Sequence, residues 1–350
     1  MIDSITYQKD LTYVANLDIV NKLKNKNIMI TGACGLIGSF LVDVIMKHNE
    51  LFNDNITVIA YDFKEEFIHN RFKSYINNSN FKYVCQDVNL PLEYSDKVDY
   101  IMHLASNAHP ALFKTDPVGT IKANIIGLLN LLEFAKDKNV TRVLYTSTGE
   151  VYGEKEGIKE FSENDLGFVN PTLYRSCYPN SKRCAETLCA SYSEQYKVST
   201  VIARPSHVYG PTMTKSDSRV YAEFIRNILN NEDITLKSLG NQTRSYTYVA
   251  DAVSALLYIL LLGKDQNAYN ISNPNSILSI KEMAEIIAKI GNKKVLFDIP
   301  KDTPTNANPM SVGVLNSSKL QNIGWIPKYN SEEGFLNTIN ILKELDNGIH

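Results

Sequence analysis

Tyr178 and Lys182 stand four residues apart in Tyr178-Pro179-Asn180-Ser181-Lys182, a spacing that in a helix puts a phenol and an ammonium on one face. A free phenol, with a pKa of about 10, is a poor base at neutral pH. A neighbouring cation favours the phenolate, and a phenol so placed can accept a proton from a hydroxyl. Twenty tyrosines in the chain make such a pair common by chance, so its weight depends on its surroundings. Earlier in the chain, Ser147-Thr148-Gly149-Glu150-Val151-Tyr152-Gly153 offers a second hydroxyl on Thr148 and a carboxylate on Glu150.

Near the start, Ile28-Met29-Ile30-Thr31-Gly32-Ala33-Cys34-Gly35-Leu36-Ile37-Gly38 carries three glycines between an apolar run and a helical pattern. Gly32 can make the tight turn, Gly35 lets backbone approach a pyrophosphate, and Gly38 permits close helix–strand packing. The free N–H groups of the helix start at Leu36 and Ile37 attract such an anion. The next run, Ile56–Tyr61, is followed by Asp62, where a dinucleotide fold sets an acid on the adenosine ribose. An acid there repels a 2′-phosphate and favours NAD, with NADP the alternative through the nearby Arg71 and Lys73. Asp87, followed by Val88, ends a third run and suits the adenine amine; an Asp that merely ends a strand is the plain alternative.

The elements that must position these groups alternate. Short apolar runs at Asn27–Thr31, Ile56–Tyr61, Phe81–Gln86, Tyr100–Leu104, Arg142–Thr146 and Val198–Ala203 predict strands. Helical spacing between them, as in Leu36–Lys47 and Ile121–Lys136, predicts an α/β fold, a Rossmann-type doubly wound parallel sheet. Beyond Gly210 the pattern loosens into a helix at Val220–Leu229, a short strand at Ile234–Leu236, and a polar turn, residues 238–245. An apolar helix from Ala250, a strand at Ala268–Ile271, a helix over Ser279–Ile290, a strand at Val295–Ile299 and a last helix near Glu332–Leu345 follow. Pro300–Pro309, rich in breakers, reads as a surface loop. The expected organisation is an N-terminal extension over residues 1–25, a dinucleotide-binding domain over 26–203, and a smaller α/β C-terminal substrate lobe over 204–350, with some interleaving.

Taken together, Gly32–Gly38, Asp62, Asp87, His103-Leu104-Ala105-Ser106, Asn124-Ile125-Ile126-Gly127, Ser147–Gly153 and Tyr178–Lys182 resemble the extended short-chain dehydrogenase/reductase family. Within it the chain is similar to the NAD-dependent nucleotide-sugar epimerase/dehydratase branch, near the UDP-glucuronate decarboxylases and UDP-glucose 4-epimerases. The resemblance runs from about Asn27 to Trp325. It implies that Thr148 hydrogen-bonds the sugar 4-hydroxyl, that Tyr178 removes its proton while C4 yields a hydride to NAD+, and that Lys182 binds the nicotinamide ribose and lowers the Tyr178 pKa. It assigns Leu104, Ala105, Ser106 and Asn124 to the cofactor cleft. Arg204–Gly210 matches the family's nucleotide-diphosphate loop, with His207 where Asn is usual; Arg219 and Arg244 match positions that meet the nucleotide and its phosphates. An Arg fork suits a diphosphate through paired, charge-assisted bonds.

The same resemblance frames the net reaction. Dehydratases of this branch carry an Asp-Glu pair where this chain has Gly149-Glu150, and glycine cannot protonate a leaving hydroxyl. Decarboxylases usually have Ser at the Gly149 position and cations in the late loop, whereas residues 302–318 contain no Lys or Arg. A buried carboxylate without a cation is costly, although Arg175 or Arg183 could supply one. C4 redox chemistry on a neutral nucleotide-linked sugar, with net 4-epimerisation, is therefore the leading expectation; decarboxylation or 4,6-dehydration is the alternative. A non-catalytic, redox-sensing dinucleotide binder is the third, and the intact Thr148, Tyr178 and Lys182 set argues against it.

Composition bounds the rest. The 350 residues are 44% hydrophobic and 21% charged, values of a globular chain and not of a disordered one. A net charge of −2 gives no bulk attraction to nucleic acid or anionic lipid. The N-terminal sequence lacks a signal-peptide pattern, and no uninterrupted apolar run reaches membrane-spanning length. Five cysteines without CxxC pairs point to reduced thiols in the cytoplasm and to no metal site. A homodimer through Pro117–Lys136 and Tyr178–Tyr196 is expected by analogy with the family.

Overall fold

The computed structural model describes residues 1–214, 217–299 and 312–347. In chain order the first part comprises α1 (Ile5–Ala15), β1 (Asn27–Thr31), α2 (Leu36–Phe52), β2 (Thr57–Asp62), α3 (Glu65–Arg71), β3 (Phe81–Cys85), β4 (Tyr100–His103), α4 (Pro110–Thr115), α5 (Pro117–Asp137), β5 (Arg142–Thr146), α6 (Cys177–Tyr196) and β6 (Thr200–Pro205). Then come β7 (His207–Tyr209), α7 (Val220–Leu229), β8 (Ile234–Leu236), β9 (Thr243–Tyr248), α8 (Val249–Leu262), β10 (Ala268–Ile271), β11 (Ile277–Ser279), α9 (Ile280–Ile290), β12 (Val295–Phe297), β13 (Val312–Gly313), α10 (Ser318–Gln321) and α11 (Ser331–Asn347).

Seven strands form one parallel sheet in the order β10-β6-β5-β4-β1-β2-β3. The α/β, Rossmann-type expectation holds. Order reverses between β1 and β4, the topological switch point where ligands of such sheets bind beyond the strand carboxyl ends. Because side chains alternate along a strand, Ile28 and Ile30 join one core cluster and Met29 the other, each covered by helices. β10, though late in the chain, completes the sheet edge against β6.

A second, smaller sheet centres on β9, with β7 and β13 parallel to it and β11 antiparallel. The expectation of a polar turn through residue 245 is corrected here: a strand begins at Thr243. Ser245 and Thr247 within it are buried and paired, Ser245 Oγ accepting from the Leu315 amide at 3.1 Å and Thr247 Oγ1 lying 2.8 Å from the Ser206 hydroxyl. Pro300–Pro309 lies outside the described residues.

Residues 1–25 pack into the molecule. Tyr7, Leu11 and Val14 are buried in the larger core, and buried Asp10 accepts from the hydroxyls of Tyr248 (2.6 Å) and Tyr329 (2.8 Å). Glu344 of α11 accepts from the Ser4 and Thr6 hydroxyls, both at 2.6 Å. Among the described residues one helix, α5, is long and apolar enough to cross a membrane by length and composition; it packs against α6.

Candidate active site

The turn from β1 into α2 explains the glycine spacing. Gly32 has φ +66°, and a methyl there would lie 2.9 Å from the Ala105 backbone. A methyl on Gly38 would lie 2.3 Å from the Gly32 carbonyl oxygen, so only glycine lets helix and turn meet so closely. Gly35 caps α2 in extended backbone, ahead of Leu36 and Ile37. Thr212 donates to the Leu36 carbonyl at 2.6 Å, tying this turn to the chain beyond β7.

Asp62, buried at the end of β2, accepts from the Cys34 amide (2.9 Å) and the Phe63 amide (2.9 Å). It therefore braces the glycine turn. Arg71 turns away from a 2′-phosphate role: it pairs with buried Asp43 of α2 and donates to Tyr7 Oη (3.2 Å) of α1. Asp87 is exposed and accepts from Asn89, while half-buried Val88 packs against Gly127 of α5. Leu104 and Ala105 follow β4 beside the Gly32 turn. Ser106 donates to Asn124 Oδ1 at 2.7 Å, and Asn124 donates to Ser181 Oγ at 2.9 Å, which links this segment to α6.

At the carboxyl ends of β4 and β5, three buried polar atoms lack a partner among the described residues: His103 Nε2, Thr146 Oγ1 and Ser147 Oγ. Buried polar atoms are normally satisfied, so this edge is built for a polar ligand. The glycine turn, the Asp62 brace and these atoms together fit a dinucleotide.

Tyr178 and Lys182 lie in the first turns of α6, both buried. The Lys182 ammonium donates to the Thr146 carbonyl at 2.7 Å and sits 5.7 Å from the Tyr178 ring centroid. Burial lowers its pKa to about 7, because the charged form loses hydration. Thr148 caps the short helical turn Gly149–Tyr152, its Oγ1 accepting from the Glu150 amide at 3.2 Å. Burial, then the Glu150 charge, push the Tyr178 phenol above its usual range, against the Thr148 hydroxyl, Arg219 and Arg175. Burial is the largest of these influences, so the protein alone keeps the phenol protonated.

The substrate candidates converge on the same place. His207, on β7, has its pKa lowered to about 3 by burial and by Arg244 and Arg219; it is neutral at physiological pH. Arg219 is held by Asp217 through two nitrogens (Nε 2.9 Å, Nη2 2.5 Å). Arg244, buried on β9, donates to the Thr243 carbonyl at 2.9 Å and feels the Glu150 charge. Gly149 lies beneath Leu315, whose Cδ1 would be 3.2 Å from a Cβ at that position.

Two neighbours escaped the sequence reading. Phe113 of α4 stacks on Tyr178, and Asp217 fixes Arg219. An apolar residue in a short helix carries no chemical signal, whereas an Asp two residues before a candidate Arg was a usable one.

Residues 28–272 match the sequence profile of the NAD dependent epimerase/dehydratase family. The chain belongs to that family. Among relatives of this NAD-dependent enzyme, UDP-glucuronic acid decarboxylase 5 of Arabidopsis thaliana is 37% identical over 89% of this chain and 87% of its own length. UDP-glucuronic acid decarboxylase 1 of Xenopus tropicalis is 35% identical over 92% and 73%. The fold matches dTDP-glucose 4,6-dehydratase of Streptomyces venezuelae, solved with NAD bound (TM-score 0.79, 21% identity, 92% of this chain and 98% of that one). It also matches UDP-glucose 4-epimerase of Thermotoga maritima, solved with UDP-glucose (TM-score 0.74, 24% identity, 91% and 99%). The fold is thus shared with an epimerase and a dehydratase, and the sequence relatives are decarboxylases.

Proposed function

We propose that this enzyme oxidises the C4 hydroxyl of a nucleoside-diphosphate sugar and then reduces C4 from the opposite face, a net 4-epimerisation of a sugar without a carboxylate. The observation that carries this reading is the burial of Tyr178 and Lys182 together in the first turns of α6, the ammonium 5.7 Å from the phenol's ring centroid, with the Thr148 hydroxyl near enough to favour the phenolate. Bound NAD+ would supply the hydride acceptor. Thr148 would hold the sugar 4-hydroxyl, Tyr178 would take its proton, and Lys182 would hold the nicotinamide ribose. The glycine turn (Gly32, Gly35, Leu36, Ile37, Gly38) would receive the pyrophosphate and Asp62 the adenosine ribose. Asp87 and Val88 would meet the adenine, and Leu104–Ser106 with Asn124 would line the cofactor cleft. His207, Arg219 and Arg244 would receive the substrate's nucleotide and diphosphate, with Gly149 beside the sugar.

The nearby cations favour a neutral sugar. Arg175 is paired with Glu150, Arg183 donates to the carbonyls of Val151 (2.7 Å) and Gly167 (2.8 Å), and Lys182 serves Thr146. A uronate carboxylate would have to displace one of these partners. Gly149 offers no acid for elimination across C5–C6. Decarboxylation is the second reading, favoured by the 37% identity to a UDP-glucuronic acid decarboxylase.

The test offers purified protein and NAD a panel of nucleotide sugars that includes UDP-glucose, dTDP-glucose and UDP-glucuronate. A 4-epimer formed without CO2 supports the proposal. CO2 and a pentose product from UDP-glucuronate replace it with the second reading, and no C4 chemistry on any sugar defeats both. We further propose a homodimer through α5 and α6, supported by Val118, Ile121, Ile126 and Leu129 left exposed on α5; a monomeric mass in solution would refute it.

A further inference from the structure

The Tyr178 ring lies almost flat against Phe113 of α4, centroids 4.7 Å apart and planes 17° apart. The Arg175 guanidinium stands 4.7 Å from the centre of the Phe113 ring. Its two terminal nitrogens reach the Glu150 carboxylate, Nη1 to Oε2 at 3.1 Å and Nη2 to Oε2 at 3.1 Å and Oε1 at 3.3 Å. Phenol, phenyl, guanidinium and carboxylate thus form one connected series, contributed by α6, α4, the turn before α6 and the turn after β5.

The charges facing the phenol come from each of these directions. Glu150 opposes loss of its proton, while Arg175 and Arg219 favour it. Arg219 already answers to Asp217. Lys182 donates to Thr146, and the phenol of Tyr145 on β5 interacts with that of Tyr178. Arg175 is therefore the side chain in direct contact with both Glu150 and the ring that covers Tyr178.

We propose that Arg175 is a positioning residue for proton removal: it holds the Glu150 carboxylate in an ion pair and seats Phe113 on Tyr178, so that the phenol can ionise beside compensated charge. The inference rests on Tyr178 being the group that takes the C4 proton. Without Arg175, the Glu150 carboxylate would lose its ion pair, with Arg244 still feeling its charge, and would act more strongly on the phenol, since charges in a poorly hydrated site act strongly.

The experiment compares Arg175→Gln, Glu150→Gln, the double variant and Arg175→Lys with wild type, recording kcat and KM against pH, NAD affinity and melting temperature. Arg175→Gln should move the acidic limb of kcat up by about one pH unit, so turnover at neutral pH falls by about tenfold and recovers in base. Glu150→Gln should move the limb down, the double variant should return it close to wild type, and Arg175→Lys should lie between, since an ammonium keeps the charge but not the fork. Glu150→Gln keeps the test open should Arg175→Gln fail to fold. An unmoved limb in Arg175→Gln, or an equal shift in the double variant, overturns the inference while an active wild type leaves the proposed function standing. A wild type inactive on every sugar overturns both.

Discussion

The Lys182 ammonium is buried against the Thr146 carbonyl, 2.7 Å from its oxygen, where the carboxyl end of β5 meets the first turns of α6. The native chain gives up this proton near pH 7, whereas an unfolded chain holds it to about 10.5. Between those values the unfolded state binds more protons, so this group makes the native state more stable as pH rises, by about 1.4 kcal/mol per pH unit at the steepest. Lys182→Met should lose that slope. Denaturant unfolding of both proteins at pH 7 and pH 9 checks it, and equal slopes would mean that the lysine keeps its ordinary titration.

Replacing Tyr178 by Phe removes the proton acceptor and leaves the stack with Phe113 in place. Turnover should fall by about 10²–10⁴-fold, with dinucleotide affinity retained, as read by fluorescence titration alongside initial rates. A variant turning over at the wild-type rate would take Tyr178 out of the chemistry.

Gly38 has backbone neighbours that cannot yield: a methyl there meets the Gly32 oxygen at 2.3 Å and Ala33 Cα at 2.9 Å. Gly38→Ala should cost about 1–3 kcal/mol, the usual cost of overpacking, and weaken NAD binding. Thermal melts with and without NAD measure both effects; unchanged affinity would separate this turn from the cofactor.

Leu11 in α1 is 1% exposed, within the larger core. Leu11→Ala should therefore destabilise the protein by about 2–5 kcal/mol. Melting at the wild-type temperature would show that residues 1–25 contribute nothing to the fold.

The sheet was legible because its inner strands are apolar and buried on both faces, unlike the largely exposed edge strand β3; β1 and β5 run over the residues expected for them. β9 was not, since its buried positions include Ser245 and Thr247, whose hydroxyls find partners that hydropathy cannot reveal. The amphipathic start of the chain was visible, but its partners Tyr248, Tyr329 and Glu344 lie far along the sequence. At the candidate site, spacing drew out Tyr178, Lys182 and the glycines, each type tied to a chemical or steric demand, whereas Thr148 took its expected role from the family resemblance. Phe113 answers only to shape, and nothing in the sequence marked it. Burial holds the Tyr178 phenol above its usual range in the protein alone, and no residue spacing reveals how deeply a phenol is buried.

The bonds from Ser4 and Thr6 to Glu344 join residues as much as 340 positions apart. Closing so long a loop is entropically costly and slow to find. A growing polypeptide can lay α1 on α2 early, but the side of α1 that meets α11 stays uncovered through most of synthesis. Any event that shears α11 away, such as proteolytic clipping of the tail, would loosen the opposite end of the sequence with it.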